Sequence, residues 1–129
     1  MKVKHIMTRD VIAGRPELSV EEARELMCRH HISGLPVIDA EGNVVGVFSQ
    51  TDALTKEGRR VSDLITSPAV TVDEEAGIKE VAALMAARDI NRVPALREGR
   101  LTGIISRADV VRYVATSHAW VELEGLERD

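Results

Sequence analysis

Gly46-Val47-Phe48-Ser49-Gln50-Thr51-Asp52 and Gly103-Ile104-Ile105-Ser106-Arg107-Ala108-Asp109 are two copies of one pattern, Gly-x-x-Ser-x-x-Asp, 57 residues apart. In each copy an apolar run containing a glycine leads into a hydroxyl and a carboxylate three residues apart, as expected where a strand gives way to a helix. Working outward, the same shift pairs Gly42 with Gly99. One residue more, a shift of 58, pairs Val3 with Val61, Thr8 with Thr66, Glu17 with Glu75, Glu22 with Glu80, Leu26 with Leu84, Met27 with Met85, Ile32 with Ile90 and Pro36 with Pro94. Identities in this order and density mark an internal duplication.

Both halves predict the same elements. Val11-Ile12-Ala13 and Ala69-Val70-Thr71-Val72 are β-rich runs after turns. Helical spacing follows in Val20, Ala23, Leu26, Met27 and His30, and again in Ile78, Val81, Ala82, Leu84 and Met85. Ser19 with Glu22 reads as a capping box, and its repeat partner, Gly77 with Glu80, as a weaker cap. Leu35–Ile38 and Val44–Phe48, joined around Glu41-Gly42-Asn43, read as a hairpin; Val93–Leu96 and Leu101–Ile105, joined around Glu98-Gly99, read as another. A helix then starts near Thr51 and near Ala108. The expected fold is therefore α/β of the α+β kind. Two pseudo-twofold related β-α-β-β-α repeats, residues 2–59 and 60–115, pack through their sheets into one module, and an acidic tail, 116–129, follows.

Composition narrows the function. The 129 residues carry 17 Lys and Arg against 21 Asp and Glu. Three units of the resulting deficit lie in the last ten residues, so the rest of the chain is close to neutral, and no basic cluster suggests nucleic acid. One Phe, one Tyr and one Trp are too few to build base-stacking platforms. The lone Cys28 cannot form an internal disulfide, no apolar stretch is long enough to cross a bilayer, and Met1–His5 lacks an apolar signal region. A cytoplasmic protein without membrane contact is expected.

The Ser-x-x-Asp pairs carry two readings. A helix N-terminus presents unpaired N–H groups that suit a phosphate, and a carboxylate accepts the two hydroxyls of a ribose diol, so a nucleotide fits. Alternatively, Ser-x-x-Asp is an ordinary capping box, the commoner meaning of the motif taken alone. The upstream glycine in both copies, which permits close backbone approach in a strand, shifts the balance toward a ligand.

Together these residues resemble the tandem cystathionine-β-synthase domain pair, the CBS pair or Bateman module, over about residues 2–115. The resemblance rests on Val-x-x-Ile-Met-Thr at Val3–Thr8, on Ile-Ser-Gly-Leu-Pro-Val-Ile-Asp at Ile32–Asp39, and on Gly-x-x-Ser-x-x-Asp, with counterparts at Val61–Thr66, Ile90–Leu96 and Gly103–Asp109. It implies a regulatory module with two clefts between the repeats for AMP, ADP, ATP or S-adenosylmethionine, with no obligatory cofactor. By resemblance, one cleft joins Ser49, Thr51 and Asp52 with Thr66, Ala69, Thr71, Ile90 and Asn91. The other joins Ile104, Ser106 and Asp109 with Thr8, Val11, Ala13, Ile32 and Ser33, and Arg92 stands where a phosphate-contacting basic residue is common. Thr51 is matched by Ala108, and Arg92 by Gly34, which points to the Asp52 cleft as the better site.

The resemblance also implies a homodimer formed through helices, with an effector protein reading the ligand-induced change. The competing reading is a ligand-free dimerisation module. Neither a catalytic triad, a P-loop nor a Gly-x-Gly-x-x-Gly occurs, so no enzyme is expected. His30-His31 and Cys28 read as core or helix-end residues rather than metal ligands, since adjacent histidines on a helix point about 100° apart. For the tail two expectations stand side by side: Trp120, Val121, Leu123 and Leu126 pack as a short helix on the module or on a dimer partner, or the segment is frayed, as termini often are.

Overall fold

The computed structural model describes residues 1–65 and 69–117. Its elements run α1 (Val3–Ile6), α2 (Val20–His30), β1 (Gly34–Ile38), β2 (Val44–Ser49), α3 (Gln50–Thr55), α4 (Val61–Leu64), β3 (Val72–Asp73), α5 (Ile78–Arg88), β4 (Arg92–Arg97), β5 (Arg100–Ser106) and α6 (Arg107–Ser117). The architecture is mixed α+β, with a two-stranded sheet, β1-β2, and a three-stranded sheet ordered β3-β4-β5. Thr66 and residues 118–129, including Trp120 and the apolar tail positions, lie outside the described residues.

The chain divides into two compact units. The Ser49 unit comprises Asp10–Val70 and Gly99–Leu101; the Ser106 unit comprises Met1–Arg9, Thr71–Glu98 and the chain from Thr102. Spatial units and sequence repeats therefore differ in their leading segments. Residues 1–9 precede the first repeat's helix yet belong to the unit of the second. Val3 N–H donates to the Ala76 carbonyl at 2.8 Å, Lys4 N–H to that of Glu74 at 2.9 Å, and Thr8 and Ile104 exchange two backbone bonds of 2.9 Å. Conversely, the segment that leads the second repeat closes onto the first. Val61 N–H bonds the Leu18 carbonyl at 2.8 Å, and Val20 N–H bonds the Arg59 carbonyl at 3.0 Å. The apolar anchors of these segments, Val3 and Val61, are both fully buried.

Each unit has its own cluster of buried apolar side chains. Val20, Ala23, Met27, Leu35, Val37, Phe48, Ala53, Val61 and Leu64 form one. Val3, Met7, Val72, Ile78, Val81, Met85, Val93, Ala95, Ile105 and Val110 form the other. The helical stripe of α2 buries Val20, Ala23 and Met27 and that of α5 buries Ile78, Val81 and Met85, with Leu26, Ala82 and Leu84 half-buried at their edges, whereas His30, read into the stripe from the sequence, is exposed at the end of α2.

Three sequence expectations change. The run Val11–Ala13 forms no strand; a single parallel bridge, Gly14 to Val37, stands in its place. The run 69–72 narrows to β3, two residues parallel to β4. The tail also begins later than 116, because α6 continues through Ser117. The four-residue helices α1 and α4 were not anticipated, since one turn is too short to show a period.

Candidate functional site

The approach to Ser49 is fixed by helix ends. His31 closes α2 in the left-handed conformation at φ 55°, and Ile32 N–H returns to the Met27 carbonyl at 3.0 Å. That Schellman-type turn aims Ile32-Ser33 into β1, and the Ser33 carbonyl accepts Gln50 N–H at 2.9 Å, which places Ser33 against the first turn of α3. The Ser106 unit repeats the arrangement. Asp89 caps α5 at φ 52°, Ile90 N–H reaches the Met85 carbonyl at 3.1 Å, and Arg107 N–H donates to the Asn91 carbonyl at 2.7 Å. His30 and His31 are exposed at the helix end, and no cluster of metal-binding side chains exists among the described residues.

Both Ser-x-x-Asp pairs form capping boxes. Asp52 N–H donates to Ser49 Oγ at 3.1 Å, while Asp52 Oδ2 accepts Ser49 N–H at 2.9 Å and Ser49 Oγ–H at 3.0 Å. In the second copy Asp109 N–H donates to Ser106 Oγ at 3.1 Å and Asp109 Oδ2 accepts Ser106 N–H at 2.9 Å. The capping reading is thus realised at both sites. It also uses up donors that the phosphate reading needed: the N–H groups of Gln50 and Asp52, and those of Arg107 and Asp109, are all engaged within the chain.

The carboxylates are nonetheless placed to accept more. The Asp52 side chain is 9% exposed and that of Asp109 13%. Each holds one cation that sequence reasoning missed. Lys56 Nζ lies 2.9 Å from Asp52 Oδ1, and Arg112 Nη1 lies 3.3 Å from Asp109 Oδ1. The i,i+4 and i,i+3 spacings were visible signals. A carboxylate offers about four acceptor positions. Among the described residues Asp52 accepts two bonds on Oδ2 and one on Oδ1, and Asp109 accepts one on each oxygen.

At Gly103, the upstream glycine of the second copy, the close neighbour is a side chain of the chain itself. A Cβ on Gly103 would lie 2.3 Å from Met7 Sδ and 2.8 Å from its Cγ. The space a side chain at Gly103 would take is filled by Met7, itself 8% exposed in the Ser106 unit's core, so Met7 would have to move to admit one.

The remaining candidates distribute as follows. Val11 and Ala13 are half-buried beside Gly14, whose N–H bonds the Pro36 carbonyl at 2.8 Å, so they lie in the Ser49 unit with Ile32 and Ser33. Ala69 belongs to that unit as well, and Thr71 to the other. Thr51 is exposed on α3. Thr8 is brought to Ile104, in the same unit as Ser106 and Asp109. Arg92 and Asn91 are in that unit too; Arg92 is half-buried, and desolvation pulls its guanidinium below the ordinary arginine range. Arg107 donates to the Ile90 carbonyl at 3.2 Å, tying the start of α6 to the cap of α5.

Two copies of the CBS domain are matched, at residues 3–58 and 61–116. The chain belongs to the CBS-domain family. The crystal structure of CBSX2 in complex with AMP is similar at 30% identity and a TM-score of 0.84, over 91% of this chain and 98% of that one; CBSX2 is a CBS-pair protein from Arabidopsis thaliana. The CBS domain pair of protein MJ0100, in complex with 5′-methylthioadenosine and S-adenosyl-L-methionine, is similar at 26% identity and a TM-score of 0.85, with the same coverage. An inosine-5′-monophosphate dehydrogenase from Korarchaeum cryptofilum is 38% identical over 84% of this chain but only 23% of its own length. A protein of Methanocaldococcus jannaschii, MJ1404, is 33% identical over 95% of this chain and 34% of its own length. The chain thus spans about a third or less of these two curated relatives, and the likeness to the dehydrogenase is confined to the part matched by the CBS pair. No helix among the described residues is long and apolar enough to cross a membrane.

Proposed function

We propose that this CBS pair is a non-catalytic regulatory module that binds an adenosine-containing ligand, AMP, ADP, ATP or S-adenosylmethionine, and passes the change to a partner protein. The observation that carries the reading is the duplicated, nearly buried carboxylate, Asp52 and Asp109, held at a strand end with acceptor positions left over. Such a carboxylate suits the ribose diol common to those ligands. The AMP complex of CBSX2 and the methylthioadenosine and S-adenosylmethionine complex of MJ0100 support the ligand class. Asp109 accepts the fewer bonds from described residues, and Thr8 and Ile104, read with it from the sequence, share its unit, so we rank the Asp109 site first, ahead of the Asp52 site favoured by the sequence.

A homodimer is part of the reading. Leu54 and Val111, equivalent positions in the two repeats, are 80% and 62% exposed. Leu54 borders an open groove of about 570 Å³ with Met27, Cys28, Ile32 and Ala53, and Val111 borders its counterpart with Met85, Ala86 and Val110. Apolar surface repeated in this way fits a second copy of the chain.

Thermal unfolding with each ligand tests the proposal. Ligand at a hundred times its dissociation constant stabilises the fold by about 2.7 kcal/mol, a rise of several degrees at this size. No rise with AMP, ADP, ATP, S-adenosylmethionine or NADH overturns it.

A further inference from the structure

Lys56 makes two contacts that meet at one ammonium. Its Nζ lies 2.9 Å from Asp52 Oδ1 and donates to the Leu64 carbonyl at 3.1 Å. Leu64 is the last residue of α4, the segment that leads into the second repeat, and is itself buried. Lys56 thereby joins the candidate ribose acceptor to the end of α4. In the other copy the corresponding position is Tyr113, not a lysine, and Asp109 holds Arg112, whose side chain is 70% exposed.

The acceptor count shows the consequence. Two ligand hydroxyls need two acceptor positions, and Asp52 has one unoccupied. Ser49 N–H is fixed backbone, and Ser49 Oγ is held in place by accepting Asp52 N–H. Lys56, 43% exposed, can move into water with little loss of hydration. It is the partner that yields.

We propose that Lys56 is an internal competitor at Asp52: a ligand diol displaces its ammonium, and the same displacement frees the Leu64 carbonyl, so that occupancy is conveyed to the end of α4. This rests on the adenosine reading above. It makes Lys56 a positioning residue that sets the lower affinity of the Asp52 site.

The test is isothermal titration of adenosine and of AMP into wild-type, Lys56→Met and Lys56→Arg protein, each carrying Asp109→Asn to weaken the second site. Amide hydrogen exchange of residues 61–65 is followed with and without adenosine. Removing the competitor is expected to tighten adenosine binding about three- to tenfold, the scale of one half-exposed ion pair with a charged hydrogen bond. Lys56→Arg should stay near wild type. Exchange at 61–65 should rise in ligand-free Lys56→Met, and in wild type when adenosine binds. Unchanged or weaker adenosine affinity in Lys56→Met overturns the competition. Loss confined to AMP also overturns it, since Lys56 would then be a phosphate contact. Unchanged exchange overturns the link to α4 whatever the titrations give. If the protein with Asp52, Lys56 and Asp109 all intact, titrated alongside, binds neither probe, the adenosine reading itself fails, a result distinct from every other.

Discussion

Replacing Gly103 by alanine is the sharpest single perturbation of the fold near the site. The added Cβ would stand 2.3 Å from Met7 Sδ, 2.8 Å from Cγ and 3.0 Å from Cε. Carbon and sulfur in contact need well over 3 Å, so the whole outer half of the Met7 side chain must move. Met7 is 8% exposed, and its neighbours in the cluster include Val3 and Ile105, both fully buried, which leaves little room for another rotamer. Overpacking of this kind costs about 1–3 kcal/mol, and complete expulsion of a methionine from a core is of the same order. For a chain of this length that is roughly 3–5 °C in Tm for each kcal/mol.

A double-mutant cycle isolates the cause. Met7→Ala alone should cost about 2–5 kcal/mol through the cavity it leaves. In that background Gly103→Ala should become nearly neutral, because the atoms it would strike are gone, giving a coupling of about 1–3 kcal/mol. Chemical denaturation of the four proteins reads this directly. If Gly103→Ala costs the same with Met7 absent, or costs nothing with Met7 present, the glycine is not there for Met7, and close approach of a ligand returns as its explanation.

Other outcomes follow from the same geometry. Glu75 accepts Lys2 at 2.5 Å and Lys4 at 2.6 Å, and these bonds hold its carboxyl at about 2 against an ordinary 4.5. Its folded-state value is depressed, so the stabilisation is present above about 4.5 and is lost as pH falls toward 2. Thermal melts of wild type and Glu75→Gln should therefore converge on acidification through that window, and parallel curves would contradict the clamp. Ser49→Ala should destabilise by about 0.5–2 kcal/mol through loss of the α3 cap, measured by denaturation; no change would mean that the box contributes nothing. Leu54→Glu and Val111→Glu, at exposed positions, should leave the monomer fold intact and shift sedimentation toward monomer, whereas unchanged oligomeric state would remove these grooves as the dimer surface.

Much of the fold was legible because it repeats. The Ser19–Glu22 box forms with bonds of 3.1 and 3.2 Å, α2 and α5 occupy their predicted stripes, and both hairpins lie where turn residues placed them. What escaped was what depends on distant partners. Val11–Ala13 has strand composition but one bridge to join, and α1 finds its place through Ala76 and Glu74, far along the chain. Gly103 looked like a ligand feature because Met7, which explains it, lies 96 residues earlier. At the site, the serine and aspartate pairs were readable, and the cations on them were overlooked although they stand only three or four residues further along the chain.

Isothermal titration of AMP into wild type, Asp109→Ala, Asp52→Ala and the double variant, each confirmed folded by circular dichroism, tests the central claim most directly. A hydrogen-bonded carboxylate lost from a ribose contact should weaken binding about 10- to 100-fold. The account predicts binding to wild type, the larger loss with Asp109→Ala and none detectable in the double variant. Wild-type affinity retained in the double variant would show that these carboxylates do not hold the nucleotide.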